Sequence, residues 1–364
     1  MRVAIVVKEF PPDSIGGLQT QTKRMATALA ESNEAPEVLL FTKRYGRHDD
    51  SALPFEVKRI PQLGVSPFIS DLTFIMGCFF ALLWHSRRID YLQCMTIYPI
   101  GFLGLMVNRV TGIPYFAWIR GNDFYQMREV RWKRWMISQV LFDTRVLVQS
   151  PEIEDDVREY FPDIEPDIGV LGNGVDVPDD PTIPRENVVL FVGRLAPKKG
   201  VEYLIQAMTN VSQHAQLCIV GDGHERSNLE SLAASLDVSV DFVGEVPPAE
   251  VREYYLRAGL LVLPSVEGEG MPNVVLEAMA LGIPVVTTRS GGLPSVIDDE
   301  QTGFLVPMGD AESLAETIDR LLDDTELREQ VGKNARSSIE SERSWDAIVT
   351  NLCDEYSRLG NQTV

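Results

Sequence analysis

The feature that most restricts this chain is a regular alternation of short, apolar, β-branched runs with segments of helical periodicity. Candidate strands occupy 2–7, 37–41, 55–60, 90–94, 114–119, 145–149 and 167–171, then 187–192, 215–220, 239–243, 260–263 and 284–287. Helical patterns lie between most of them. Such alternation predicts parallel sheets, because a crossover helix returns each strand in the same direction and covers the faces of the sheet. A polar, proline-marked break, Pro178-Asp-Asp-Pro-Thr-Ile-Pro184, separates the strands into two sets. The expected fold is therefore α/β, with two doubly wound parallel-sheet domains over 1–180 and 185–343. A length of 364 residues suits two cores of about 150 to 200 residues each. A last helical stretch, 344–360, carries Trp345, Ile348, Leu352 and Tyr356 at helical spacing. By itself that pattern lets it pack on either domain.

Only five apolar residues, Val3 to Val7, run between charges at the N-terminus, which fits a buried first strand better than a signal peptide. Residues 72–84 are uncharged but fall short of the ~20 residues that span a bilayer as a helix. Residues 91–108 are interrupted by Gln93, Thr96, Pro99, Gly101 and Asn108, giving a strand, a loop and a helix. Both segments are expected in the core of the first domain, since parallel strands are buried on both faces. The cysteines Cys78, Cys94, Cys218 and Cys353 lie far apart without Cys-x-x-Cys, as in a reduced cytoplasmic chain with no zinc site.

Charge excludes one class of partner. Lys+Arg number 33 and Asp+Glu 53, for a net charge of −20, which argues against nucleic acid. Only 8 of the basic residues are Lys and 25 are Arg. High acid with little Lys is the surface expected of a halophilic protein, whose self-repulsion is screened by concentrated salt. Residues 1–184 carry 19 basic and 24 acidic residues, net −5, while 185–364 carry 14 and 29, net −15.

In doubly wound sheets, ligands bind beyond the carboxyl ends of the strands, so the residues following each strand are the candidates. After the first strand, Gly16 and Gly17 open a helix, where backbone N–H groups approach a phosphate at a positive helix end. After 187–192 comes Gly193-Arg194-Leu-Ala-Pro-Lys-Lys199-Gly200. Two cations leaving one strand end suit a diphosphate whose charge grows as it departs. After 260–263 comes Pro264-Ser-Val-Glu267-Gly-Glu269-Gly270-Met271-Pro272-Asn273-Val-Val-Leu-Glu277. Glu269 stands at the loop mouth, and Glu277 sits in an apolar helix, where a buried carboxylate must face a partner or a polar space. The N–H groups from Met271 to Val274 suit a phosphate, and Glu267 a solvated loop acid. Val220-Gly-Asp-Gly223 also joins a strand to a helix, but Arg226 stands where a dinucleotide fingerprint needs Gly.

These motifs occur in an order that resembles glycosyltransferase family 4, the retaining nucleotide-sugar enzymes of GT-B fold. The resemblance covers nearly the whole chain, and the 264–284 block is its most specific part. It implies two Rossmann-like domains facing a central cleft, an N-terminal acceptor-binding domain and a C-terminal nucleotide-sugar-binding one. It also implies that the 344–360 helix returns to the N-terminal domain. Glu269 would contact the transferred sugar, and Glu277 the nucleotide ribose. Arg194 and Lys199 would bind the donor diphosphate and stabilise the leaving group, with Gly16, Gly17, Gly193, Gly270, Met271, Pro272 and Asn273 lining the donor. Asn173-Gly-Val-Asp176 would mark the crossing between domains. No metal and no cofactor is implied, the nucleotide sugar being a substrate. One position departs from the pattern: Ile119-Arg120-Gly-Asn-Asp123 stands where many relatives carry His-Gly. The cleft role passes to Arg120 with Asp123, and since Arg is not a base, the leaving phosphate would take the acceptor proton.

A second departure from the acidic norm is Arg128-Glu-Val-Arg131-Trp132-Lys133-Arg134-Trp135-Met136. One reading is an interfacial helix whose four cations meet anionic lipid while its tryptophans sit at headgroup level; the other is a solvated face with both tryptophans in the core. With the apolar 68–84 segment, the first points to a peripheral enzyme on the inner face of the cell membrane, using a glycan or lipid-linked acceptor. Two competing classes are a nucleotide-sugar epimerase of the same fold and a non-catalytic sugar- or lipid-binding module. A glycosidase is disfavoured, because its two carboxylates flank one bond rather than phosphate-binding neighbours.

Overall fold

The computed structural model describes residues 1–362 except 15, 35, 47, 65, 180–184, 212–214 and 268–269. The chain divides into two compact units: Met1–Gly174 with the terminal helix, and Val175–Ser344.

The first unit runs β1 (Arg2–Val6), α1 (Gly17–Glu31), β2 (Glu37–Lys43), β3 (Glu56–Ile60), α2 (Pro67–His85), β4 (Tyr91–Cys94), α3 (Phe102–Thr111), β5 (Tyr115–Ile119), α4 (Asn122–Tyr125), α5 (Arg131–Asp143), β6 (Val146–Val148), α6 (Pro151–Tyr160) and β7 (Ile168–Val170). The second runs β8 (Val188–Val192), α7 (Val201–Ala207), β9 (Gln216–Val220), α8 (Arg226–Ser235), β10 (Val240–Gly244), α9 (Pro248–Arg257), β11 (Leu260–Leu263), α10 (Asn273–Ala280), β12 (Val285–Thr288), β13 (Phe304–Val306), α11 (Ala311–Asp323) and α12 (Thr325–Glu342), and α13 (Trp345–Gln362) then joins the first unit. Twelve strands fall where the apolar runs predict them. The thirteenth, β13, does not: three residues between Gly303 and Pro307 are too short to show a period, and pairing with β12 alone makes them a strand.

The sheets have the orders β3-β2-β1-β4-β5-β6-β7 and β10-β9-β8-β11-β12-β13, and every neighbouring pair is parallel. The second order is that of a dinucleotide-type doubly wound sheet, 3-2-1-4-5-6. In each unit the winding reverses between the first strand and the one that starts the second half. These switch points lie between β1 and β4 and between β8 and β11.

Alternating side chains divide the first core into two layers. Val3 and Ile5 of β1 face α1 and α13, while Ala4 and Val6 face the layer of α2, α3 and α5. Helix α13 buries Ile348, Leu352, Tyr356 and Leu359 in the first layer. The Tyr356 hydroxyl donates to Oε1 of the fully buried Gln93 on β4 at 2.5 Å, while the Gln93 amide nitrogen meets the Met25 and Met95 sulfurs. The last helix is thereby fixed to the middle of the sheet, since a buried amide left unpaired would cost about 1–3 kcal/mol.

Helix α2 is not the core helix that its composition suggests. Only Phe74, Cys78 and Leu82 are buried. Phe68, Leu72, Met76, Phe80 and Trp84 lie four residues apart and are between 49% and 86% exposed. The helix therefore carries an apolar stripe on each side, and the sheet covers one.

Candidate functional site

At the switch point of the second unit, the segments after β8 and β11 are bound to each other. The Val266 N–H donates to the Lys198 carbonyl at 2.9 Å. Gly200 has φ +62°, and a Cβ there would lie 2.1 Å from the Pro264 carbonyl oxygen, so glycine is required by both backbone and space. Arg194, which is exposed, precedes the short turn Pro197–Lys199, and Lys199, which is half-buried, ends it. Arg194, Lys199, Gly193 and the Gly270–Asn273 segment thus belong to one connected pair of loops. Glu269, expected at the mouth of this segment, lies outside the described residues. Glu267 is exposed, as expected of a solvated loop acid.

The loop is held from beneath by hydroxyls that sequence reasoning missed. Thr287 Oγ1 donates to the Leu263 carbonyl at 2.7 Å, Thr288 Oγ1 to the Ser265 carbonyl at 2.5 Å, and Ser290 Oγ to the Glu267 carbonyl at 2.5 Å. All three donors are buried, so each bond fixes backbone leaving β11. A β-branched run reads as a plain strand, and the pairing of its hydroxyls with a neighbouring loop leaves no local sequence signal.

Helix α10 then starts at Asn273. Its N-cap Pro272 supplies no side-chain bond and its own first turn holds no acidic residue, so the helix brings no negative charge of its own to its positive end. Met271 is buried beside Arg343, whose Nη1 lies 3.5 Å from its sulfur. Glu277 is part-buried, and its Oε2 accepts a 2.9 Å hydrogen bond from the Tyr255 hydroxyl on α9. Tyr255 is almost wholly buried, and burial, with the adjacent Glu277 charge, holds its phenol well above the usual range. A protonated phenol is thereby a permanent donor that orients the carboxylate.

The Gly221 and Gly223 pair has a packing role. A Cβ at Gly221 (φ +135°) would lie 1.9 Å from the Gly193 carbonyl oxygen, and one at Gly223 would lie 2.1 Å from that of Leu195. The Leu195 N–H donates to the Asp222 carbonyl at 2.9 Å. These glycines let the β9 loop close against the Gly193–Leu195 segment.

In the first unit the loops after β1, β4 and β5 meet at the other switch point. Helix α1 begins at Gly17, with Gly16 as an extended N-cap that offers no side-chain bond. A cavity of about 620 Å³ is lined by Lys8, Glu9, Thr96, Tyr98 and Asp123 from the strand ends and by Phe68, Leu72, Trp132 and Met136 from α2 and α5. Asp123 accepts the Ile97 N–H on Oδ2 and the Arg120 N–H on Oδ1, both at 2.9 Å. Burial pushes its pKa up to about 6, against the opposing pull of those N–H groups and of Arg120. Arg120 is held apart from the cavity lining. Its guanidinium carbon stacks 3.8 Å from the Trp118 ring centroid, and Nη1 donates to Asn173 Oδ1 at 2.7 Å. Burial lowers its pKa to about 9, which leaves it cationic at neutral pH. The structure therefore places Asp123, and not Arg120, at the cavity.

The basic segment is placed differently from either reading. The helix starts at Arg131, not Arg128, and Trp132 and Trp135 are 50% and 57% exposed, which removes the core assignment for both. Arg131 and Arg134 are exposed. Arg128 turns inward: its guanidinium lies 4.5 to 5.3 Å from the ring centroids of Tyr160, Tyr125 and Phe124. Lys133 sits 5.4 Å from the Tyr98 centroid and 5.6 Å from that of Trp132. Arg134, though exposed, also lies 4.7 Å from the Tyr160 centroid, so three of the four cations are drawn toward aromatic faces.

Two all-parallel nucleotide-type units, one with a cationic loop beside a helix N-terminus at its switch point, define the GT-B class of glycosyltransferases. Over 99% of each chain the structure matches the sucrose-phosphate synthase of Thermosynechococcus elongatus, with a TM-score of 0.80 and 23% identity. The protein belongs to the glycosyltransferase family 4 / group 1 enzymes: residues 15–178 match the model described as Glycosyltransferase Family 4, and residues 178–338 that described as Glycosyl transferases group 1. An uncharacterized glycosyltransferase, MJ1607 of Methanocaldococcus jannaschii, is 28% identical over 98% of both chains. The GDP-mannose-dependent monoacylated alpha-(1-6)-phosphatidylinositol monomannoside mannosyltransferase of Corynebacterium glutamicum is 27% identical over 98% of this chain and 99% of its own.

Proposed function

We propose that this glycosyltransferase moves a hexose, with retention, from a UDP- or GDP-type sugar to a glycan or lipid-linked acceptor. The observation that carries the donor half is the joining of the Arg194–Lys199 loop to the 264–273 segment across β8 and β11. Cations and a helix N-terminus at one switch point match a diphosphate leaving group in charge and position. Arg194 and Lys199 take up the charge that develops as the nucleotide departs, and Gly193, Gly270 and Met271 to Asn273 cradle it with backbone. Glu277, oriented by Tyr255, hydrogen-bonds the ribose hydroxyls, and Glu269 contacts the sugar. The leaving phosphate accepts the acceptor's proton, so no protein base is needed, and the reaction proceeds without a metal. The acceptor half belongs to the first unit, with Asp123 in its cavity, while Gly16 and Gly17 at the start of α1 face the donor phosphates.

The GDP-mannose and phosphatidylinositol chemistry in the name of the Corynebacterium relative supports this donor and acceptor class. Exposed Arg131, Arg134, Trp132 and Trp135 support docking on an anionic inner-face membrane from the cytoplasm. The reading is tested by Arg194→Ala and Lys199→Ala, each expected to lower transfer about 10²- to 10³-fold, the range for removing one transition-state charge partner. Unchanged transfer in both variants refutes it. Conversion of the donor sugar without any acceptor would favour the epimerase instead.

A further inference from the structure

The cavity at the β1/β4 switch point has a polar floor and an apolar wall, and the wall does not stop at its rim. The Thr96 hydroxyl is buried without a hydrogen-bond partner among the described residues, and the Asp123 carboxylate lines the same cavity. A buried unpartnered hydroxyl costs about 1–3 kcal/mol and calls for a polar group that fits it. Asp71 also lines the cavity, bridging Lys8 at 2.8 Å and the buried Lys43 at 2.5 Å. Hydroxyl, carboxylates and ammonium together are the partners of a polyol or sugar rather than of a single anion.

On the wall, Phe68 and Leu72 line the cavity and are also the first two members of the exposed α2 stripe. Met76, Phe80 and Trp84 continue it along the helix. From Phe68 to Trp84 the stripe runs about 24 Å at the helical rise of 1.5 Å per residue, comparable with one extended acyl chain. The flanking helix α5 adds Trp132 and Trp135, both half-exposed. Helices α2, α3 and α5 form one layer and together hold Arg109, Arg131, Lys133 and Arg134 against Asp71 and Asp143, a net positive face on a chain of −20. An apolar stripe on a cationic face complements an anionic bilayer, whereas a second copy of this acidic chain brings like charge elsewhere.

We propose that the cavity and the α2 stripe form one binding site for a membrane amphiphile, its polyol or sugar head on Thr96 and Asp123 and its hydrocarbon along Phe68 to Trp84. In calling that amphiphile the transfer acceptor, the inference rests on the glycosyltransferase reading above, and commits it to a lipid-borne acceptor.

The test uses the full chain and two probes. Flotation with phosphatidylcholine vesicles in 0.5 M KCl, a salt chosen to screen the cationic contribution, compares wild type with a Met76→Ser/Phe80→Ser/Trp84→Ser variant. At least a tenfold loss of vesicle-bound protein is expected, with the thermal midpoint unchanged because all three side chains are exposed. Octyl glucoside below its micelle concentration should change the fluorescence assigned to Trp132, by difference from Trp132→Phe, at a concentration at least tenfold below that of glucose. Equal flotation of the two proteins overturns the proposal. So does equal response to glucose and octyl glucoside, or a dimeric wild type that the triple variant makes monomeric. A thermal shift with UDP or GDP reports the donor site separately: its absence with flotation intact counts against the transferase reading and not against the lipid site.

Discussion

The Tyr255–Glu277 contact gives the sharpest test of how the donor site is built. Tyr255→Phe removes one hydroxyl and leaves the ring packing in place. The bond lost is 2.9 Å long, from a nearly inaccessible phenol to a carboxylate. A hydrogen bond to a charged partner contributes about 1.5–3 kcal/mol, and the lower end applies because Glu277 is only part-buried and water recovers some of the loss. In a unit of this size, about 1.5 kcal/mol lowers the unfolding midpoint by about 3–6 °C. A carboxylate that loses this donor is held less firmly toward the ribose, and a loss of about 1.4 kcal/mol there raises donor KM about tenfold. Because the ribose is remote from the bond being broken, kcat is expected to stay within about threefold. Glu277→Gln serves as the control: an amide oxygen still accepts from Tyr255, but a neutral bond is about half as strong, so the midpoint falls by about half as much. Differential scanning fluorimetry and initial rates against donor concentration supply both readouts. An unchanged midpoint together with an unchanged KM refutes the argument. A lowered midpoint with unchanged KM would reduce Tyr255 to a structural bond and remove the stated link to the donor.

Other consequences follow from named contacts. Gly221→Ala places a Cβ 1.9 Å from the Gly193 carbonyl at φ +135° and should cost about 3 kcal/mol, read by chemical denaturation; a loss near zero contradicts the packing role. Asp123 has a folded pKa of about 6, above its ordinary value, so its contribution to stability is present at low pH and lost as pH rises from about 4 through 6. Asp123→Asn should flatten that part of the stability–pH curve, and an unaltered slope rejects the assignment. Buried Tyr115, Tyr255 and Tyr356 all have raised phenol pKa values, so their contribution is intact below about pH 10 and is lost above it; melting at pH 9 and pH 11 should show a marked drop. The acidic, lysine-poor composition predicts a midpoint that climbs with KCl, and a maximum below about 0.15 M rejects salt adaptation. Transfer is expected to be indifferent to EDTA, and loss of activity restored by a divalent cation would reject the metal-free reaction.

Much of the scaffold was legible because a parallel strand buried on both faces must be apolar throughout. Runs such as Val188–Val192 and Leu260–Leu263 announce themselves without reference to any partner. The places of the loop motifs were legible for a related reason: each directly follows an apolar run, and sheets of this class present strand ends to ligands. What stayed hidden depended on neighbours distant in sequence. Tyr255 precedes Glu277 by a strand and a loop, and Thr288 and Ser290 look like ordinary strand-end residues until their hydroxyls meet the 264–267 backbone. Gly221 and Gly223 read in sequence only as a broken dinucleotide fingerprint, and the structure shows their close approach to the Gly193 and Leu195 carbonyls.

The sequence alone determined the α/β class, the two sets of strands and the chemical types after each strand, because local periodicity and backbone permissiveness are properties of short segments. Strand order was decided only in three dimensions. It is tertiary pairing of β8 with β11 that joins Arg194 and Lys199 to a helix end some seventy residues on. The same holds for α2: hydropathy shows that it is apolar all round, but only the packing of Phe74, Cys78 and Leu82 on the sheet shows which apolar stripe remains outside. Sequence fixes what a side chain can do, and the fold decides what it faces, since burial and partnership arise from contacts that no local pattern encodes.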